Sequence, residues 1–206
     1  MTKKEFAELC IINRSGGSPV SHQKLDPRDF YGYLEMAMAE ILNAVLKQSN
    51  YIDGAWIKTY EDVPVYWNDK RNVAFFKLPA TIMSIRGDRG LQSVMPMKSE
   101  TDIQYYITQS AAVPVFDHLE AGQNLDGAFE CYLEGDYVVI PKMPKHLIGG
   151  PLKVKVIPSV TAYDEDEQLR IPGDFSETII EKVLRISDPQ ARIPQKVTND
   201  QNPNTR

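Results

Sequence analysis

The chain has 206 residues, 42% of them hydrophobic and 25% charged, an ordinary globular balance that allows one large domain or two small modules. Its 28 acidic and 23 basic residues give a net charge of −5 and a pI near 5.3. That excludes the basic footprint of a nucleic-acid reader but allows passive contact, because an acidic wall repels a duplex and lets it slide. No apolar run approaches the roughly 18 residues of a membrane span, so no membrane partner is expected. The charged start Met1-Thr2-Lys3-Lys4-Glu5-Phe6 lacks the apolar region of a signal peptide. Cys10 and Cys131 are too far apart to form a disulfide framework and read as buried, reduced thiols of a chain made in a cytoplasm.

In chain order, Thr2 and Glu5 have the spacing of a capping box. It opens a short helix to about Asn13 with Phe6, Leu9 and Cys10 on one side. Gly16-Gly17-Ser18-Pro19 ends it. The best-marked helix runs from Asp26 to about Ser49. Asp26 is the N-cap, Pro27 takes the first helical position, and Asp29 suits the positive end of the dipole. Phe30, Leu34, Ala37, Ile41 and Val45 recur at helical spacing, and Tyr33, Met38, Leu42 and Leu46 widen the stripe. Asn50 is the expected C-cap.

From Tyr51 the period changes to two. Residues 63–78 read as a hairpin turning at Asn68-Asp69-Lys70-Arg71-Asn72 and stopped by Pro79. Ile82, Met83 and Ile85 read as a strand that turns through Arg86-Gly87-Asp88-Arg89-Gly90 to a partner at Leu91–Met95. Further strands are expected at Ile103–Thr108, Ala112–Phe116, Ala128–Leu133, Tyr137–Pro141 and Leu152–Ile157, with Gly135-Asp136 as a tight turn. Tyr163–Gln168 is an acidic loop. Asp174 is the expected N-cap of a last helix to Ile186, with Ile179, Ile180, Val183 and Leu184 buried. Residues 190–206 are too polar to order themselves and, with Asp188 and Pro189, could reach about 60 Å when extended.

The expected fold is α+β: N-terminal helices and a C-terminal helix packed together, with an inserted antiparallel β-sandwich or small barrel. Residues 1–50 and 169–187 form the helical body, 51–168 the β-rich module, and 188–206 an extended or disordered tail.

No catalytic constellation stands out, so no enzyme and no cofactor is expected. His22, His118 and His146 lack metal-ligand spacing. Asp164, Glu165, Asp166 and Glu167 lack the glycine and closing Glu of a calcium loop, so no metal is assigned. Gly149-Gly150 and Arg86-Gly87-Asp88 read as turns. Aromatic residues at strand spacing read as core or subunit interface. The interface candidates are Trp56, Trp67 and Phe76, with Ile193 and Val197 the apolar residues of the tail.

A resemblance adds to this. After the short helix, the glycine break and the long helix come Leu78-Pro79-Ala80 and a segment with Ile82, Ile85, Gly87, Gly90, Val94 and Pro96. The chain then reaches Leu169, Ile171-Pro172, Asp174, Ile179-Ile180 and Val183-Leu184 before a polar tail. This order resembles head-to-tail connector (adaptor or ring) proteins of short-tailed bacteriophages, most closely those of crAss-like phages, over most of residues 1–190. The resemblance implies a virion structural protein made in the host cytoplasm. Such a protein assembles as a homo-oligomeric ring, commonly of about twelve copies. It sits below the portal protein, contacts other ring or tail proteins, and extends the channel for DNA. It supplies no interface motif that transfers residue by residue.

Two other readings compete. One is a carbohydrate- or receptor-binding module presenting Tyr51, Trp56, Tyr66 and Trp67. The other is a hydrolase using Asp164 or Glu167 with His146.

Overall fold

The computed structural model describes residues 1–15, 26–49, 51–97, 104–107, 128–141, 143 and 147–188. Asn50, the strand expected at Ala112–Phe116, the three histidines and the tail residues Ile193 and Val197 lie outside them.

Helix α1 spans Lys3–Arg14 and carries the expected capping box. Thr2 Oγ1 accepts the Glu5 N–H at 3.2 Å, and Glu5 Oε2 accepts the Thr2 N–H at 2.9 Å, satisfying two orphan donors reciprocally. Its inner face is Lys3, Phe6, Ala7 and Cys10, which recur three or four positions apart along one side, whereas Ile12 is exposed. Asp26 caps as expected, its Oδ1 accepting the Arg28 N–H at 2.9 Å. What it caps is a 3-10 turn, Pro27–Phe30, from which helix α2 continues over Tyr31–Ser49. Phe30, Leu34, Ala37, Met38, Ile41 and Leu42 are buried along one face.

Helix α3, Ser176–Ser187, packs chiefly on α2 and also on α1. Its start corrects the expected cap. Asp174 lies inside a 3-10 turn, Gly173–Phe175, and the helix begins after Phe175 with no side-chain cap. Phe175 instead packs against Trp56, ring centroids 5.7 Å apart. A long-range aromatic anchor outweighs the local cap here.

The strands are β1 (Lys58–Val63), β2 (Tyr66–Asn68), β3 (Val73–Lys77), β4 (Leu91–Pro96), β5 (Gln104–Ile107), β6 (Ala128–Glu134), β7 (Tyr137–Ile140) and β8 (Leu152–Val156). Their order is β1-β8-β4-β5-β6-β7-β3-β2. Neighbours are antiparallel except β5 and β6, which are parallel, so two antiparallel sheets meet at one parallel seam. A parallel pair needs a connection of about a dozen residues or more, which residues 108–127 supply. The order does not close into a barrel: β1 and β2 stand at its two ends and are not paired with one another. One buried cluster takes residues from both sheets, among them Ala74, Phe76, Val94, Val138, Ile140 and Val154. The arrangement is mixed α+β, with the sheets sharing a core.

The β2–β3 hairpin and the β6–β7 hairpin form as expected, the latter turning at Gly135 with φ +63. The strand expected at Ile82–Ile85 does not form. Ile82 makes only an isolated bridge to Pro158, and β4 pairs with β8 instead. Met83 and Ile85 are buried among the helices, whereas Leu91 and Val94 are buried between the sheets. This segment therefore crosses from one core to the other. Gly90 makes the crossing possible, because a Cβ there would lie 2.4 Å from the Met83 carbonyl oxygen.

The boundary between body and module also shifts. Ile52, Trp56, Met83, Ile85, Ile157, Val160 and Tyr163, all within 51–168, belong to the helical core. No helix among the described residues is long and apolar enough to cross a membrane.

Candidate interaction surface

Three polar clamps hold the segment after β8 to the two N-terminal helices and to β1. Lys3 is buried, donates from Nζ to the Tyr163 carbonyl and lies 5.2 Å from the centre of the Tyr31 ring. Glu35 of α2 accepts from Ser159 Oγ at 2.9 Å and from the Val160 N–H at 2.6 Å. Lys58 of β1 pairs with Glu167 and lies against the Tyr60 and Tyr163 rings. The hydrogen bond from Lys58 holds the Glu167 carboxyl below its ordinary value, and the same bond raises the lysine. Arg28 adds an exposed pair with Glu165 at 3.1 Å. Two of the four acidic residues in the loop are thus engaged by cations. Among the described residues, no group of three or more His, Cys, Asp or Glu could hold a metal ion.

A row of side chains, mostly aromatic, runs across the outer face of β2, β3, β7 and β6. Tyr66, Phe75, Val139 and Tyr132 stand opposite one another across four strands, forming one cross-strand row. The Tyr66 and Phe75 rings lie 5.7 Å apart at 34°. Tyr137 meets Phe75 edge-on at 5.9 Å. Tyr66 is 53% exposed and Tyr137 45%, so the ridge presents aromatic surface to solvent. Beside it, a shallow depression of about 190 Å³ lies between Phe75, Tyr137 and Val139 on one side and Arg71 and Glu134 on the other. Arg71 grips Glu134 through two hydrogen bonds, 3.1 and 2.8 Å. That grip lowers the Glu134 carboxyl and raises the guanidinium.

The candidate residues fall in different places. Trp56 and Phe76 are 1% and 0% exposed and serve the helical and sheet cores respectively, so neither can reach a partner in this fold. Trp67 is half-buried against the sheet core. Of the four aromatics expected on a sugar platform, Tyr51 and Tyr66 are exposed and Trp56 is not. Of the ridge residues, Tyr132 and Tyr137 are not among the candidates. A signal existed in Phe75-Phe76: strand alternation allows only one of two adjacent residues to point inward.

The chain matches no known protein family model and no curated protein.

Proposed function

We propose that this chain is a structural subunit of a head-to-tail connector in a short-tailed, crAss-like phage. In this reading it forms a cyclic homo-oligomer below the portal, joins the capsid to the tail and extends the DNA channel. The likeness in sequence order supports the family. The observation that carries the interaction role is the Tyr66–Phe75–Tyr137 ridge, its two tyrosines exposed on the sheet of β6, β7, β3 and β2. Aromatic clusters of this kind are enriched at protein interfaces. A head-to-tail interface that closes generates a ring. The net charge of −5 suits a channel wall that repels DNA.

Electron microscopy of the purified full chain tests this. Closed rings with a central opening are the expected particles, and particles without cyclic symmetry oppose the reading.

A second reading, a carbohydrate- or receptor-binding module, draws on the same ridge. Exposed aromatic faces beside the Arg71–Glu134 pair also suit stacking on a sugar. A glycan panel separates the two: saturable binding that is lost in Tyr66→Ser or Tyr137→Ser, with no ring formed, favours the module.

A further inference from the structure

A second concavity lies on the other sheet, where the end of α2 and the segment after it approach the outer face of β4 and β8. It encloses about 440 Å³, within the range of small-molecule sites. Its apolar wall is Leu46, Ile52, Ile57 and Met95, and the exposed Tyr51 stands at its edge.

Ser93 and Lys155 are direct cross-strand partners in the β4–β8 ladder. They therefore lie side by side on one face, and both line the cleft. Ser93 is 7% exposed, and its Oγ is fully buried with no hydrogen-bond partner among the described residues. A buried hydroxyl without a partner is a standing cost to the fold and calls for an occupant. Lys153, two residues before Lys155, pairs with Glu61 at 2.9 Å. Lys155 has no carboxylate partner among the described residues. Arg89 adds a second cationic side chain to the lining, and none of the described residues that line it is acidic, in a chain whose net charge is −5.

From this geometry we infer that the cleft binds a small organic carboxylate with a short apolar body. The Lys155 ammonium and the Ser93 hydroxyl are two adjacent donors matched to the two carboxylate oxygens. The apolar wall takes the chain behind the head group. A bare anion would leave that wall empty, and a neutral alcohol would leave the ammonium unmatched.

The test is titration of the full-length protein with hexanoate, hexanol and acetate, followed by calorimetry and by the thermal midpoint. Hexanoate is expected to bind saturably at one site and raise the midpoint, with hexanol and acetate weaker by about tenfold or more. Lys155→Met and Ser93→Ala should each weaken hexanoate by about tenfold. Ser93→Ala should also raise the midpoint of the unliganded protein, because it removes the unpartnered hydroxyl. That second readout shows that the variant is folded. Hexanoate binding that is absent, matched by hexanol, or unchanged in both variants would overturn the inference and leave Ser93 with bound water alone.

Discussion

Glu35, in the second turn of α2, accepts the backbone N–H of Val160 at 2.6 Å. The same oxygen also takes the Ser159 hydroxyl at 2.9 Å. One carboxylate thus satisfies two donors of a turn that follows the last strand, and Ser159 and Val160 are both buried. Glu35→Ala strands the Val160 N–H, leaves the Ser159 hydroxyl only Thr161 Oγ1 at 2.8 Å, and should cost about 2 kcal/mol. Glu35→Gln keeps an acceptor oxygen and should cost less than half as much. Urea denaturation of both variants checks this, and equal losses would show that the charge, not the acceptor, matters.

Trp56 separates core from interface. It is 1% exposed, packed on Phe175 and surrounded by helical core residues. Trp56→Ala should destabilise the isolated chain by about 3–5 kcal/mol. Tyr66→Ser and Tyr137→Ser, on the exposed ridge, should each stay within about 1 kcal/mol of the native stability. If Trp56→Ala unfolded at the native midpoint, its place in the core would be wrong.

The Lys58–Glu167 pair sets a pH window. Its hydrogen bond lowers Glu167 from an ordinary 4.5 and raises Lys58 from 10.5. The glutamate's contribution is present above the unfolded value and fades as pH falls through the depressed folded one. The lysine's contribution is present below 10.5 and fades as pH rises through the raised folded value. Side chains 34% and 25% exposed are partly screened, so the pair is worth less than about 1 kcal/mol. Thermal midpoints of Glu167→Gln against pH should show a shallower acid limb than the native chain. Parallel curves would contradict the linkage.

Two glycines should respond with opposite signs. Gly90→Ala puts a Cβ 2.4 Å from the Met83 carbonyl oxygen, which forces the backbone apart and should cost about 2 kcal/mol or more. Gly32 lies in the first turn of α2 with nothing near its missing Cβ. Gly32→Ala should stabilise by about 0.5–1 kcal/mol. Denaturation midpoints compare the two directly.

What could be read from the sequence was local. The capping box at Thr2 and Glu5, the cap at Asp26 and the turn at Gly135 depend on residues within three or four positions, and all three are present. The misreadings are non-local. Ile82–Ile85 has a strand-like composition, but β8 took both β1 and β4 as partners, which left Met83 and Ile85 to the helices. The Asp174 cap yielded to the Phe175–Trp56 contact, made by residues far apart in the chain. The parallel seam between β5 and β6 depends on strand order, to which alternation is blind. The exposed ridge was half legible. Phe75-Phe76 required one ring to face outward, but which one depended on where the second sheet lies.

Mass in solution tests the ring assignment most directly. Light scattering should be run on the full chain and on a chain ending at Ser187, at low and high salt, with Tyr66→Ser/Tyr137→Ser alongside. A ring of about twelve copies of the 23.3 kDa chain would weigh about 280 kDa. The expected result is one discrete cyclic oligomer for the full chain, reduced to smaller species when the tail or the ridge is altered. A 23.3 kDa monomer at every concentration and salt, unchanged by either alteration, would contradict it.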